Sequence, residues 1–177
     1  MAVDDALPGR LVRWITAAEP DWDAVYAEQL PRVYSFFRYR FGASADVEDL
    51  TGRTFEKAWR ARHRYRRDLA GFATWMLSIA RNAAADHVRA RGRYVPLEDA
   101  GAVAAPLDTP EDAAVHASDA HRLTTLLAAL PDRERELIAL KYGAGMTNRA
   151  IARATGLSES NVGTILHRSI ESLRDRW

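Results

Sequence analysis

Cysteine is absent from all 177 residues. That excludes disulfide bridges, thiolate metal ligands and thiol redox sensing, and it fits a reducing compartment. Long hydrophobic runs are missing too, because arginine or aspartate interrupts every apolar stretch well short of a membrane span. The opening residues Met1, Ala2, Val3, Asp4 and Asp5 carry neither a basic start nor an apolar run, so no signal peptide is expected. The expectation is a cytoplasmic protein that does not enter the membrane. No segment alternates apolar and polar residues as a half-buried strand would, and no internal repeat is evident. His63, His87, His116, His121 and His167 show no metal-ligand spacing, and there is no glycine-rich phosphate loop or nucleophile–base arrangement. These absences argue against an enzyme, a metal centre and a bound cofactor. Asp46, Glu48 and Asp49 are three close carboxylates, but a helix start explains them more simply than a divalent ion does, since acids stabilise the positive end of the helix dipole.

Charge is present in balance but not in mixture. The formal net charge is only +1, yet Lys57 to Arg93 holds ten basic residues against Asp68 and Asp86. Pro96 to Ala120 holds six acids and no lysine or arginine. A basic block followed by an acidic one points to a segment that meets a polyanion beside a segment that stays solvated.

Helical periodicity dominates the rest. Val25, Tyr26, Leu30, Val33, Tyr34, Phe36, Phe37 and Phe41 predict an opening helix that Gly42 ends and that Pro31 kinks or divides. A second helix runs from about 45 to 61, with Val47, Leu50, Thr54, Ala58 and Ala61 inward and the acid-before-base pairs Asp49–Arg53 and Glu56–Arg60 outward. An arginine-rich loop, His63 to Gly71, leads into a third helix over about 72–92, with Phe72, Met76, Ile79 and Ala83 as its core stripe. Prolines, Gly101, alanines and acids over 96–110 read as a flexible tether. Beyond it, Leu123, Leu126, Leu127 and Leu130 mark a helix stopped by Pro131, and Leu137, Ile138, Leu140 and Tyr142 mark another ended by Gly143. The expected fold is all-α, two small helical modules on a string. Its boundaries are a weakly ordered extension over 1–20 with an amphipathic turn at Leu11, Trp14 and Ile15, a first domain over 21–95, a linker over 96–111 and a second domain over 112–177.

Two nucleic-acid surfaces follow from the residues. Thr147 caps a short helix, Thr155 and Gly156 stop it, and Ser158 caps a second one. At about 100° per residue, Val162, Ile165, Leu166, Ser169 and Leu173 form the back of that second helix. Ser160, Asn161, Thr164, His167 and Arg168 lie on its front and flank, short polar groups suited to base edges and phosphates. A helix-turn-helix is therefore expected here, with an ordinary surface helix as the plainer alternative. The other surface combines Arg64, Tyr65, Arg66 and Arg67 with Trp75, Asn82 and Arg89 on one stripe of the third helix. Cations interleaved with aromatics neutralise phosphates and stack on unpaired bases, while core packing of Trp75 and a dipole-favoured basic helix end are the plainer readings.

Taken together, Asp46 to Trp59, Thr74 to Asn82, Asp86 to Arg89, Leu130 to Leu137 and Ile151-Ala152 before the terminal helix-turn-helix resemble the extracytoplasmic-function group of bacterial sigma-70 factors over residues 22–177. The resemblance implies two helical domains, regions 2 and 4, with no domain between them. It implies a non-enzymatic initiation factor that docks on core RNA polymerase through the β′ clamp helices and the β flap, with Asp49, Arg53 and Glu56 as candidate contacts. It further implies that Arg64, Tyr65, Arg66, Arg67, Trp75, Arg81, Asn82 and Arg89 recognise and melt the minus-ten element. Ser160, Asn161, Thr164, His167 and Arg168 would read the minus-35 element, with Arg149 as a phosphate clamp, and an anti-sigma protein is a further partner of such factors. Two departures stand out. Gly52 replaces the family's usual glutamine at a cost of about 1 kcal/mol of helix stability, and Gly163 and Ile165 replace polar or basic residues. A repressor that binds duplex DNA alone is the competing reading, but it leaves the arginine–aromatic surface without work.

Overall fold

The computed structural model of the chain describes residues 21–66, 69–91 and 110–177, without the side chains of 91 and 110–117. The expected turn at Leu11, Trp14 and Ile15, Arg67, Arg93 and the tether up to residue 109 lie outside these residues. The described residues are helical with no strand: α1 Trp22–Phe41, α2 Asp46–Ala61, a 3-10 turn Arg62–Arg64, α3 Phe72–Arg91, α4 Pro110–Ala128, α5 Asp132–Ile138, a π turn Ala139–Gly143, α6 Asn148–Thr155 and α7 Glu159–Arg176.

Asp21 opens α1, its carboxylate accepting from the N–H groups of Asp23 and Ala24 at 3.1 and 3.3 Å. The helix is not divided at Pro31. Proline leaves the Ala27 carbonyl without its N–H partner, but Ala27 and Pro31 are both exposed, so water satisfies it. Val33, Phe36 and Phe37 are fully buried, whereas Tyr26 is 50% exposed against the Phe55 ring. Helix α2 packs Val47, Leu50, Thr54 and Ala58 inward, joined by Thr51. The buried hydroxyls of Thr51 and Thr54 donate to the carbonyls of Val47 and Leu50, each at 2.7 Å, which satisfies them without a tertiary partner. Helix α3 is buried on two sides: Met76 and Ala83 lie on the expected stripe, and Leu77, Ala80 and Ala84 add a second.

Contacts across the two domains correct the picture of modules on a string. Helices α1 and α3 of the first domain pack directly against the second domain, and one continuous core runs from Val33 and Phe36 through Leu137, Leu140 and Ile151 to Leu173. The Arg40 side chain, 5% exposed, donates to the Asp132 carbonyl and carboxylate, each at 2.7 Å. Arg32 Nε donates to the Ala144 carbonyl at 3.0 Å. Arg81 Nε donates to Glu136 at 2.9 Å, and its Nη1 donates to the Ala154 carbonyl. Hydropathy periodicity reports which face of a helix is covered but not which element covers it, and here part of the cover comes from across the tether.

The Arg40 hydrogen bond holds the Asp132 carboxyl below its usual value of 3.8, more than offsetting partial burial. A depressed folded-state value adds stability above the unfolded one and loses it as pH falls through the folded one. Asp132→Asn is therefore expected to flatten the acid limb of Tm below about pH 4. Thermal scans of both proteins across that limb check this; parallel acid limbs would remove Asp132 from it.

Candidate nucleic-acid interface

Local hydrogen bonds build the C-terminal surface. The Thr147 hydroxyl accepts from the Ala150 N–H and the Ser158 hydroxyl from the Asn161 N–H, each at 3.2 Å, capping α6 and α7 as expected. Between them Gly156 takes φ +74°, a left-handed conformation that glycine adopts without the Cβ clash, and its N–H closes α6 on the Ala152 carbonyl. Val162, Leu166, Ser169 and Leu173 are buried and Ile165 half-buried. The buried Ser169 hydroxyl lies 2.9 Å from the Ile165 carbonyl and 3.2 Å from the Glu134 carboxylate, fixing α7 to α5.

That anchoring leaves Ser160, Asn161, Thr164, His167 and Arg168 exposed together on one face. Among the described residues the side chains of Asn161 and Arg168 have no partner, while Thr164 donates to the Ser160 carbonyl and His167 lies 3.3 Å from Glu171. Arg149 is exposed but pairs with Glu159 at 3.5 Å, so a phosphate would have to displace that carboxylate. Gly163 is half-buried where α6 and α7 cross, and a Cβ there would meet Asn148 Nδ2 at an ordinary 3.7 Å. Its departure from the family pattern therefore falls on the helix crossing rather than on the exposed face.

The first-domain surface is less uniform. Tyr65, Phe72 and Trp75 form a ring cluster with centroids 5.0–5.3 Å apart. Trp22 meets Phe72 and Trp59 edge-on at 5.8 and 5.1 Å. Trp75 and Tyr65 are half-buried, each packed within this ring cluster and partly open to solvent. Arg64 and Arg66 are exposed beside them, and Arg62 lies over the Trp59 ring at 4.2 Å. Asn82 is exposed on α3. Arg89 is exposed too, but it is bonded to Asp86, which also lies 3.6 Å from Lys57. These cations, the Arg89 hydrogen bond first, hold the Asp86 carboxyl below its ordinary value. Arg81 faces away from this group: its guanidinium is taken by Glu136 and Ala154 of the second domain.

On α2, Asp49, Arg53 and Glu56 are exposed as expected, with Asp49–Arg53 contacts of 2.9–3.0 Å and a Glu56–Arg60 contact of 2.5 Å. A Cβ on exposed Gly52 would meet nothing within 4 Å, so its cost is one of helix propensity, not of packing. Sequence reasoning missed Arg32, Arg40 and Glu136 as contacts between the domains. A signal existed for Arg40, which falls on the Val33, Phe36, Phe37 stripe at helical spacing, where a charge is buried only if something opposite receives it. No helix among the described residues is long and apolar enough to cross a membrane.

Comparisons with known proteins place both surfaces in context. The family model for sigma-70 region 2 matches residues 25–94, and that for sigma-70 region 4 matches residues 120–173. The ECF RNA polymerase sigma factor BldN of Streptomyces coelicolor is 28% identical over 176 residues, covering 96% of this chain and 66% of BldN, so the chain spans just under two thirds of that protein. The RNA polymerase sigma factor CarQ of Myxococcus xanthus is 33% identical over 167 residues, 92% of each chain. The sigma factor RpoE from Bartonella quintana, solved in complex with the anti-sigma factor NepR, shares the fold with a TM-score of 0.75 at 21% identity, covering 88% of this chain and 96% of that one.

Proposed function

This chain belongs to the sigma-70 family, in its extracytoplasmic-function group, and from that premise we propose that it joins core RNA polymerase, recognises a two-part promoter and opens the start-site duplex. Factors of this family initiate transcription and are not enzymes. The observation that carries the reading is α7: a buried back, capped and anchored to α5, behind an exposed face of Ser160, Asn161, Thr164, His167 and Arg168. In our reading those five residues read the minus-35 element in the major groove, and Arg149 exchanges Glu159 for a backbone phosphate. The first domain, 21–95, takes the minus-ten element. There Arg64, Arg66 and Arg67 hold phosphates, and Tyr65 and Trp75 stack on separated bases with Asn82, Arg89 and Arg81 along the same rod. Asp49, Arg53 and Glu56 on the free face of α2 dock on the polymerase clamp, and the second domain, 112–177, meets the β flap. The site of action is the cytoplasm.

The likeness to RpoE, solved with NepR bound, supports an anti-sigma protein as a partner of the compact form as well. Run-off transcription with core polymerase tests the whole reading, and absence of both association and start-site selection would end it. Within that assay Asn161→Ala and Arg168→Ala are each expected to cost about 1–3 kcal/mol at one upstream element. Replacing Arg64 and Arg66 together should instead reduce permanganate reactivity of the opened strand more than duplex binding. Normal opening in that variant would reassign the loop.

A further inference from the structure

Among the described residues, the seam between the two domains contains more positive charge than negative charge to meet it. A cavity of about 130 Å³ opens between the last turn of α1 and helices α4 and α5, and Arg38, Arg40 and Arg135 all line it. At about 30 Å³ of liquid per water molecule, it has room for a few waters or one small ion. Asp132 is the single carboxylate in contact with these three arginines among the described residues, and it spends itself on Arg40. The Nε of Arg40, on a side chain 5% exposed, is buried with no hydrogen-bond partner. Arg135 Nη2 reaches the Leu130 carbonyl at 3.3 Å, but its Nε is buried and unpartnered as well. The half-buried Arg38 guanidinium makes no hydrogen bond or ion pair among the described residues. Burial, with the neighbouring Arg40 charge, pushes the Arg135 guanidinium below its ordinary value, so the cluster is held at a cost.

We propose that this seam is a binding site for a small multivalent oxyanion of the phosphate or pyrophosphate class, held by Arg38, Arg40 and Arg135. Buried N–H donors without acceptors are expensive, and guanidinium groups arriving from separate helices match the several outward lone pairs of a tetrahedral oxyanion. A carboxylate of the chain offers two oxygens in one plane and is already committed to Arg40. Because α1 belongs to the first domain while α4 and α5 belong to the second, the same anion ties the two together.

The test uses the full-length chain and inorganic pyrophosphate, with sodium chloride at matched ionic strength as the control. Pyrophosphate at about a hundredfold excess over its Kd should raise Tm by about 5 °C or more, and its ³¹P resonances should broaden. Arg38→Met with Arg135→Met should abolish both effects without lowering the unliganded Tm, since two uncompensated charges are removed. If Arg135→Met fails to fold through loss of the Leu130 contact, Arg38→Met alone must weaken binding at least tenfold. An equal rise with chloride, or undiminished binding by the Arg38 variant, overturns the proposal. A non-promoter DNA duplex should leave the ³¹P broadening in place; its loss would assign the arginines to nucleic-acid phosphate and overturn the proposal equally.

Discussion

Gly143→Val is expected to drive the two domains apart. A Cβ at this position would lie 2.8 Å from the Ser35 carbonyl oxygen, 3.0 Å from its carbon and 3.2 Å from Phe36 Cα. Those are backbone atoms in the middle of α1, whose hydrogen bonds forbid a local retreat, so the π turn must move instead. That turn carries the buried Ala139 and Leu140 into the shared core, and its displacement strips cover from Val33, Phe36 and Phe37 as well. Overpacking a rigid contact costs about 1–3 kcal/mol, and the upper end applies where no side chain can yield. For a chain of this size about 3 kcal/mol lowers Tm by about 6–12 °C. Calorimetry should show the lower transition, or two transitions where wild type shows one, and small-angle scattering should show a larger radius of gyration. An unchanged radius and Tm would mean that the domains do not hold one another through this contact.

Arg81 and Glu136 should separate stability from function. Their ion pair spans 2.9 Å, the side chains are 20% and 15% exposed, and Arg81 also satisfies the Ala154 carbonyl. Removing one partner of a fully buried pair costs about 3–5 kcal/mol; at this residual exposure about 2 kcal/mol is expected, for Arg81→Ala and Glu136→Gln alike. The functional outcomes should differ. If Arg81 contacts the separated strand, as proposed, its guanidinium must leave Glu136 when the protein engages a promoter. Arg81→Ala then loses strand opening, whereas Glu136→Gln lowers the cost of release and opens at least as well as wild type. Permanganate reactivity read beside urea unfolding distinguishes the two. Equal loss of opening in both variants would leave Arg81 a purely structural residue.

Much of this was legible from residue order. The caps at Thr147 and Ser158 and the left-handed stop at Gly156 depend on contacts within a few residues, and the apolar back and polar front of α7 follow from helical spacing. The outward pairs Asp49–Arg53 and Glu56–Arg60 are similar, since i,i+4 spacing alone brings them together. Pro31 does not divide α1, and the reason is of the same scale: the carbonyl it orphans, at Ala27, is exposed to water.

The roles of individual cations were a different matter. Arg81, Arg89 and Arg149 look alike in the sequence, yet Arg81 is turned into the second domain, Arg89 is held by Asp86 and Arg149 by Glu159. Arg40 and Arg38 lie two residues apart on α1, and one is committed to Asp132 while the other has no partner among the described residues. Local order determined the helices, their ends and the exposed polar face of the last one, because backbone hydrogen bonding and side-chain periodicity act over a single turn. Which cations stay available to a polyanion was decided only when α1 and α3 closed on the second domain. A guanidinium's long reach lets it bond wherever a carboxylate or carbonyl is brought near, and what is brought near depends on contacts between residues 92 positions apart, as in Arg40 and Asp132.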